Sequence, residues 1–77
     1  MPVSGIVVRC LNGCSDVVAG RIASFNGVEV HGVLSDGQIV AVVEADTVQG
    51  EVDTVSQLHD VKDVVTVQLA YHNFEDV

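Results

Sequence analysis

The chain has no tryptophan, and its aromatic residues are Phe25, Tyr71 and Phe74 alone, so its hydrophobic core must be assembled from Val, Ile, Leu and Ala. Such side chains suit a pleated sheet covered on one face. Basic residues are nearly as scarce, three against eleven acidic ones, and the formal net charge of -8 repels phosphate backbones and anionic membranes. Nucleic acid is excluded on that ground, and a basic peptide is the natural partner. Two cysteines, Cys10 and Cys14, are too few for the disulfide framework of a small secreted domain. The start, Met1-Pro2-Val3, lacks the charged and then apolar run of an export signal or membrane span, which predicts a cytoplasmic chain.

Catalytic motifs are missing too. There is no phosphate-binding glycine loop, no serine nucleophile elbow and no defensible carboxylate pair. His31, His59 and His72 are dispersed, with no spacing that suits a metal, and are expected to be solvated. Cys10 and Cys14 stand near the first strand–helix turn, where soft-metal chaperones of similar topology hold their ion, but with three intervening residues where those proteins have two. Two ordinary half-buried thiols are the expected outcome. The chain is therefore expected to be no enzyme, with no catalytic residue, cofactor or metal ligand.

What is present is an orderly alternation. Seventy-seven residues allow one domain, 1–77. Residues 4–10, SGIVVRC, read as a first strand with Ile6 and Val8 on one face and Val7 and Arg9 on the other. After the Asn12-Gly13 turn, Val18, Ile22 and Phe25 recur at helical spacing over 15–25, with Ser15 as the expected N-cap. Gly20 inside this helix predicts close packing on the sheet. Asn26-Gly27 ends it, and strands over 28–33 and 38–45 flank a Ser35-Asp36-Gly37 hairpin. Asp46-Thr47 caps a second helix running to about His59, with Gln49 as a possible capping-box partner and Val48, Val52, Val55 and Leu58 as its apolar face. Residues 64–72, VVTVQLAYH, form the last strand, with Val65, Val67, Leu69 and Tyr71 expected under the helices and Thr66, Gln68, Ala70 and His72 on the other side.

The order β-α-β-β-α-β predicts an α+β, ferredoxin-like fold with a four-stranded antiparallel sheet and two helices on one face. The crossovers suggest that the first and third strands are parallel neighbours in the middle, with the fourth and second at the edges. The bare face then carries Val7, Arg9, Glu29, His31, Val40, Val42, Glu44, Thr66, Gln68, Ala70 and His72. Its apolar centre, Val7, Val40, Val42 and Ala70, suits a groove for an amphipathic helix or peptide; an ordinary half-exposed sheet and a self-association surface remain equal alternatives.

The segments SGIVVRC at 4–10, DGQIVAVVEAD at 36–46 and VVTVQLAYHNFE at 64–75 resemble the NapD family of small cytoplasmic chaperones, above all in the Val42–Ala45 run and the Leu69–His72 ending. The sequence departs from the family pattern at Asn26, where proline is common, and at Asp63, where glycine often opens the last strand. The resemblance implies a ferredoxin-like fold and binding, without catalysis or cofactor, of the twin-arginine signal peptide of the periplasmic nitrate reductase precursor. That binding would hold back export until the molybdenum cofactor is inserted, with the peptide docked as a helix on the sheet and the chaperone a monomer or weakly self-associated. Two other classes share the element order: an ACT-like small-molecule sensor, which the Asn12-Gly13 turn suits, and the soft-metal chaperones disfavoured by the cysteine spacing.

Overall fold

A computed structural model describes the backbone of residues 3–73 and the side chains of residues 3–70. The elements are β1 (Val3–Cys10), α1 (Ser15–Ala23), β2 (Val28–Val33), β3 (Ile39–Glu44), α2 (Val48–His59) and β4 (Val64–Asn73). They form one sheet in the order β2-β3-β1-β4. β1 and β3 are central, as expected, but they run antiparallel, pairing Val3 with Glu44 and Val7 with Val40. The expected parallel pairing fails for a topological reason: each crossover helix returns the chain one strand away, so a strand of the opposite direction fills the gap between the parallel pair.

Alternation sends Ser4, Ile6 and Val8 of β1 and Ile39, Ala41 and Val43 of β3 under the helices, where they meet Val18 and Ile22 of α1 and Leu58 of α2. Phe25, just past α1, still packs on this core. α1 starts at Ser15, with Cys14 in the N-cap position and no side-chain cap. Ser15 is not the cap; its hydroxyl instead donates to the Gly37 carbonyl at 2.7 Å and ties α1 to the β2–β3 hairpin. Gly20 is exposed and a Cβ there would meet nothing, so close packing does not explain it.

In α2 the cap is as expected: Thr47 accepts from the Gly50 amide at 3.0 Å. Gln49 makes no capping box; its amide donates to Asp53 at 2.9 Å. The buried face differs as well. Val48 and Val52 are exposed, whereas Glu51 is buried with Leu58, and Val55 is packed against the core. Glu51, Val55 and Leu58 lie four and three residues apart, one helical stripe with a carboxylate in it. The Ser4 hydroxyl donates to Glu51 across the β1–α2 contact, which offsets the desolvation of that carboxylate.

β4 breaks its alternation twice. Cys10 pairs with Val64 and Arg9 with Thr66, so Val65 is bulged out; Ile6 pairs with Leu69 and Gly5 with Tyr71, so Ala70 is bulged out. Val64 packs against the core while Val65 is exposed, contrary to the regular pattern. Val67 and Leu69, level with the buried Val8 and Ile6, keep to the helical side as expected, although Leu69, lining a recess with Val52, Val55 and His59, is more than half exposed. The expected places of Tyr71, under the helices, and His72, on the bare face, concern side chains outside the described residues. Their backbones pair with Gly5 and Ser4, and alternation cannot be carried to them across the bulge at Ala70.

Candidate binding face

Both helices lie on one side of the sheet, and among the described residues the other side is open. On β1 it carries Val3, Gly5, Val7 and Arg9, because Ser4, Ile6 and Val8 are the buried set. β3 contributes Val40, Val42 and Glu44, in register with Val7, Gly5 and Val3. The four valines Val3, Val7, Val40 and Val42 are half-buried, and no helix of the described residues lies above them. Gly5 sits among them with no side chain of its own and registers against Val42 on one side and Tyr71 on the other. The middle of the face is thus an apolar area with a low point at Gly5.

Charge is gathered at one corner. Glu29 on β2 is opposite Val42, and Glu44 lies two residues further along β3, so the two carboxylates are diagonal neighbours on the face. With Gly27, Val28 and Val42 they line a notch of about 250 Å³. Gly27 holds this corner in shape: its φ is +85°, its carbonyl accepts from the Glu44 amide at 2.8 Å, and a Cβ there would overlap the Glu44 carbonyl oxygen. His31 stands at a β2 bulge, since Val30 pairs with Ala41 and Gly32 with Val40, and its Nε2 is 3.2 Å from Glu29 Oε1. Arg9 is exposed at the opposite end of β1, with Thr66 beside it in register on β4.

Of the residues assigned to this face from sequence, Val7, Arg9, Glu29, His31, Val40, Val42 and Glu44 stand together on β1, β2 and β3. Thr66 and Gln68 join them through their pairing with Arg9 and Val7. Ala70 does not complete the apolar centre, because it is the unpaired residue of the second bulge. The His72 side chain falls outside the described residues. Val3 and Gly5 were missed. Extending the alternation back from Val7 by two and four residues finds both, and an apolar count gives glycine no weight.

The cysteines stand apart, half-buried against the core, with Cys10 Sγ 3.6 Å from Ser15 Oγ. Among the described residues no group of three or more His, Cys, Asp or Glu is placed to hold a metal ion, and no helix is long and apolar enough to cross a membrane. Arrayed valines beside two carboxylates offer adhesion to something apolar and positively charged.

Comparison with known proteins gives the same architecture. The family model described as NapD protein matches residues 1–76. The solution structure of the E. coli Tat proofreading chaperone protein NapD superposes with a TM-score of 0.83 at 28% identity, covering 96% of this chain and 79% of that one. A crystal structure of a Thermus thermophilus protein superposes with a TM-score of 0.85 at 22% identity over 100% of this chain and 98% of the other, a likeness of fold. A search of curated protein sequences returned no match.

Proposed function

The chain belongs to the NapD family, and from that premise we propose that it is a chaperone in nitrate reductase maturation that binds the twin-arginine signal peptide of the catalytic-subunit precursor on its open sheet face. Binding in the cytoplasm holds the precursor back from export until its molybdenum cofactor is in place, and release follows. The chaperone itself contributes no catalytic step and needs no cofactor. The observation that carries this reading is the half-buried Val3, Val7, Val40 and Val42 beside Glu29 and Glu44, on a face that no helix covers.

A twin-arginine leader joins two guanidinium groups to an apolar stretch, so its receptor needs carboxylates next to an apolar area. Glu29 and Glu44 supply the first. Guanidinium–carboxylate contacts can be bidentate and fix orientation, but in exposed positions each contributes only about 0–1 kcal/mol. The valines supply the second and dominate the affinity, at about 25 cal/mol per Å² of apolar surface removed from water before ordering costs. A net charge of -8 hastens encounter with a basic peptide, an effect that salt screens.

Calorimetric titration with a synthetic leader peptide tests the proposal. Val42→Asp is expected to abolish binding and Glu44→Lys to weaken it with a flatter salt dependence. Asp53→Lys, which makes the same charge change on exposed α2 surface, is expected to keep most of the affinity. If Val42→Asp and Glu44→Lys titrate like the parent while Asp53→Lys does not, the peptide docks on the helical side.

A further inference from the structure

The open face is electrically polar along β1. Val3 faces Glu44 at one end and Arg9 stands at the other, both on the same side of the strand. Arg9 is six residue steps along from Val3, about 20 Å at roughly 3.4 Å per residue. Of the three basic residues, Arg21 is tied to Asp63 at 3.2 Å and Lys62 lies in the turn before β4, so Arg9 is the cation of this face. It makes no ion pair among the described residues. Asp36, in the neighbouring hairpin, is engaged by the Gln38 amide and side chain at 3.1 and 2.8 Å.

From this layout we infer that the face fixes the direction and length of the helix it takes: a basic N-terminus over Glu29 and Glu44, a C-terminus over Arg9, and about 13 residues between. The inference rests on the docking proposed above and adds a polarity to it. A helix carries about half a positive charge at its N-terminus and half a negative one at its C-terminus. Laid along β1 in this direction, it meets the two carboxylates with its N-terminal dipole and its arginines together, and meets the Arg9 guanidinium with its unsatisfied C-terminal carbonyls. Laid the other way, its arginines crowd Arg9 and its C-terminal carbonyls face Glu29 and Glu44. The absence of a side chain at Gly5, a third of the way from Val3 to Arg9 and level with Glu29 through Val42, lets the helix approach closely in its N-terminal half. The preferred partner therefore has its arginines first, an apolar stripe next, and no basic residue about 13 positions further on.

The test uses the full chain, isotopically labelled, and an acetylated, amidated probe peptide of two arginines followed by an alanine–leucine helix, about 14 residues in all. A nitroxide is placed at one terminus of the peptide or the other, and amide broadening is mapped. An N-terminal label is expected to broaden Val3, Glu29 and Glu44, and a C-terminal label Arg9 and Thr66. The reverse pattern, or equal broadening of both ends by both labels, overturns the orientation while leaving the docking face intact. Broadening on α1 and α2, or no binding, overturns the docking itself and the orientation with it. As a second measurement, Arg9→Glu is expected to weaken the probe about two- to five-fold, the size of a helix-dipole contact, and Lys62→Glu to leave it unchanged. Equal effects from the two changes overturn the role given to Arg9.

Discussion

Replacing Glu51 by lysine separates two descriptions of α2. As a charged residue in an amphipathic helix, Glu51 belongs in water, and a surface exchange there changes stability by no more than about 0.5 kcal/mol. In the structure it is 1% exposed, and Ser4 of β1, also 1% exposed, donates a hydrogen bond to it. A lysine must then bury its ammonium against a hydroxyl or force α2 off the sheet. Removing one partner of a buried charged contact costs about 3–5 kcal/mol. A domain of 77 residues has about 4–12 kcal/mol in total, so this is a large share of it. At roughly 4–8 °C per kcal/mol, the melting temperature falls by about 12–40 °C. Ser4→Ala, which removes one donor from the carboxylate, costs less, about 1.5–3 kcal/mol. Urea titration followed by far-ultraviolet circular dichroism measures both, and a cycle of Ser4→Ala, Glu51→Ala and the double variant gives the coupling of the two side chains, expected at about 0.5–3 kcal/mol. A Glu51→Lys protein within about 0.5 kcal/mol of the parent, or strict additivity in the cycle, refutes the buried pair.

Gly27→Ala is expected to lose about 2–4 kcal/mol in the same titration, because it combines a positive φ with an overlap on the Glu44 carbonyl that no side-chain rotation relieves; a change under about 0.5 kcal/mol counts against the described corner. Changing Cys10 and Cys14 together to serine is expected to leave leader binding intact at some cost in stability, since both thiols pack beside the core away from the open face. Loss of binding in a folded double variant, or stoichiometric copper or zinc in the purified protein, assigns the thiols a functional role. Asp63 has a φ of +74°, so Asp63→Gly is expected to raise stability by a few tenths of a kcal/mol or leave it level despite losing the Arg21 contact.

The element order was legible because strand and helix periods alternate cleanly: Ile6 with Val8, Val18 with Ile22, and Ile39 with Ala41 and Val43 all reach the core that their spacing assigns them. Most of the open face followed from the same alternation read in reverse, and it held on β1 and β3 because their mutual pairing is unbroken from Val3–Glu44 to Val8–Ile39. It failed on β4, where the residues that step out of register, Val65 and Ala70, carry no glycine or polar signal to announce a bulge. Composition also misleads at α2, where helical spacing of valines points positions 48 and 52 inward and gives Glu51 no place on the buried face. A partner for Glu51 comes from Ser4, 47 residues away in the chain, and no local pattern can register it. The family's own segments were recognisable because they include the central strands, where core packing and the open face constrain alternate residues at once.

The two bulges of β4 bear on the solubility of the chain. β4 is an outer strand of ten residues, and between Val64 and Asn73 it carries no Asp, Glu, Lys or Arg to discourage another strand from adding to its free edge. Outer strands of that length are templates for uncontrolled stacking unless something interrupts them. An incoming straight strand matches the spacing of donors and acceptors only while the edge is regular, and here the regular run is Thr66 to Leu69, four residues bounded by the displaced Val65 and Ala70. The kinks thus limit any intruding strand to a contact too short to persist, a steric guard in place of the missing charges.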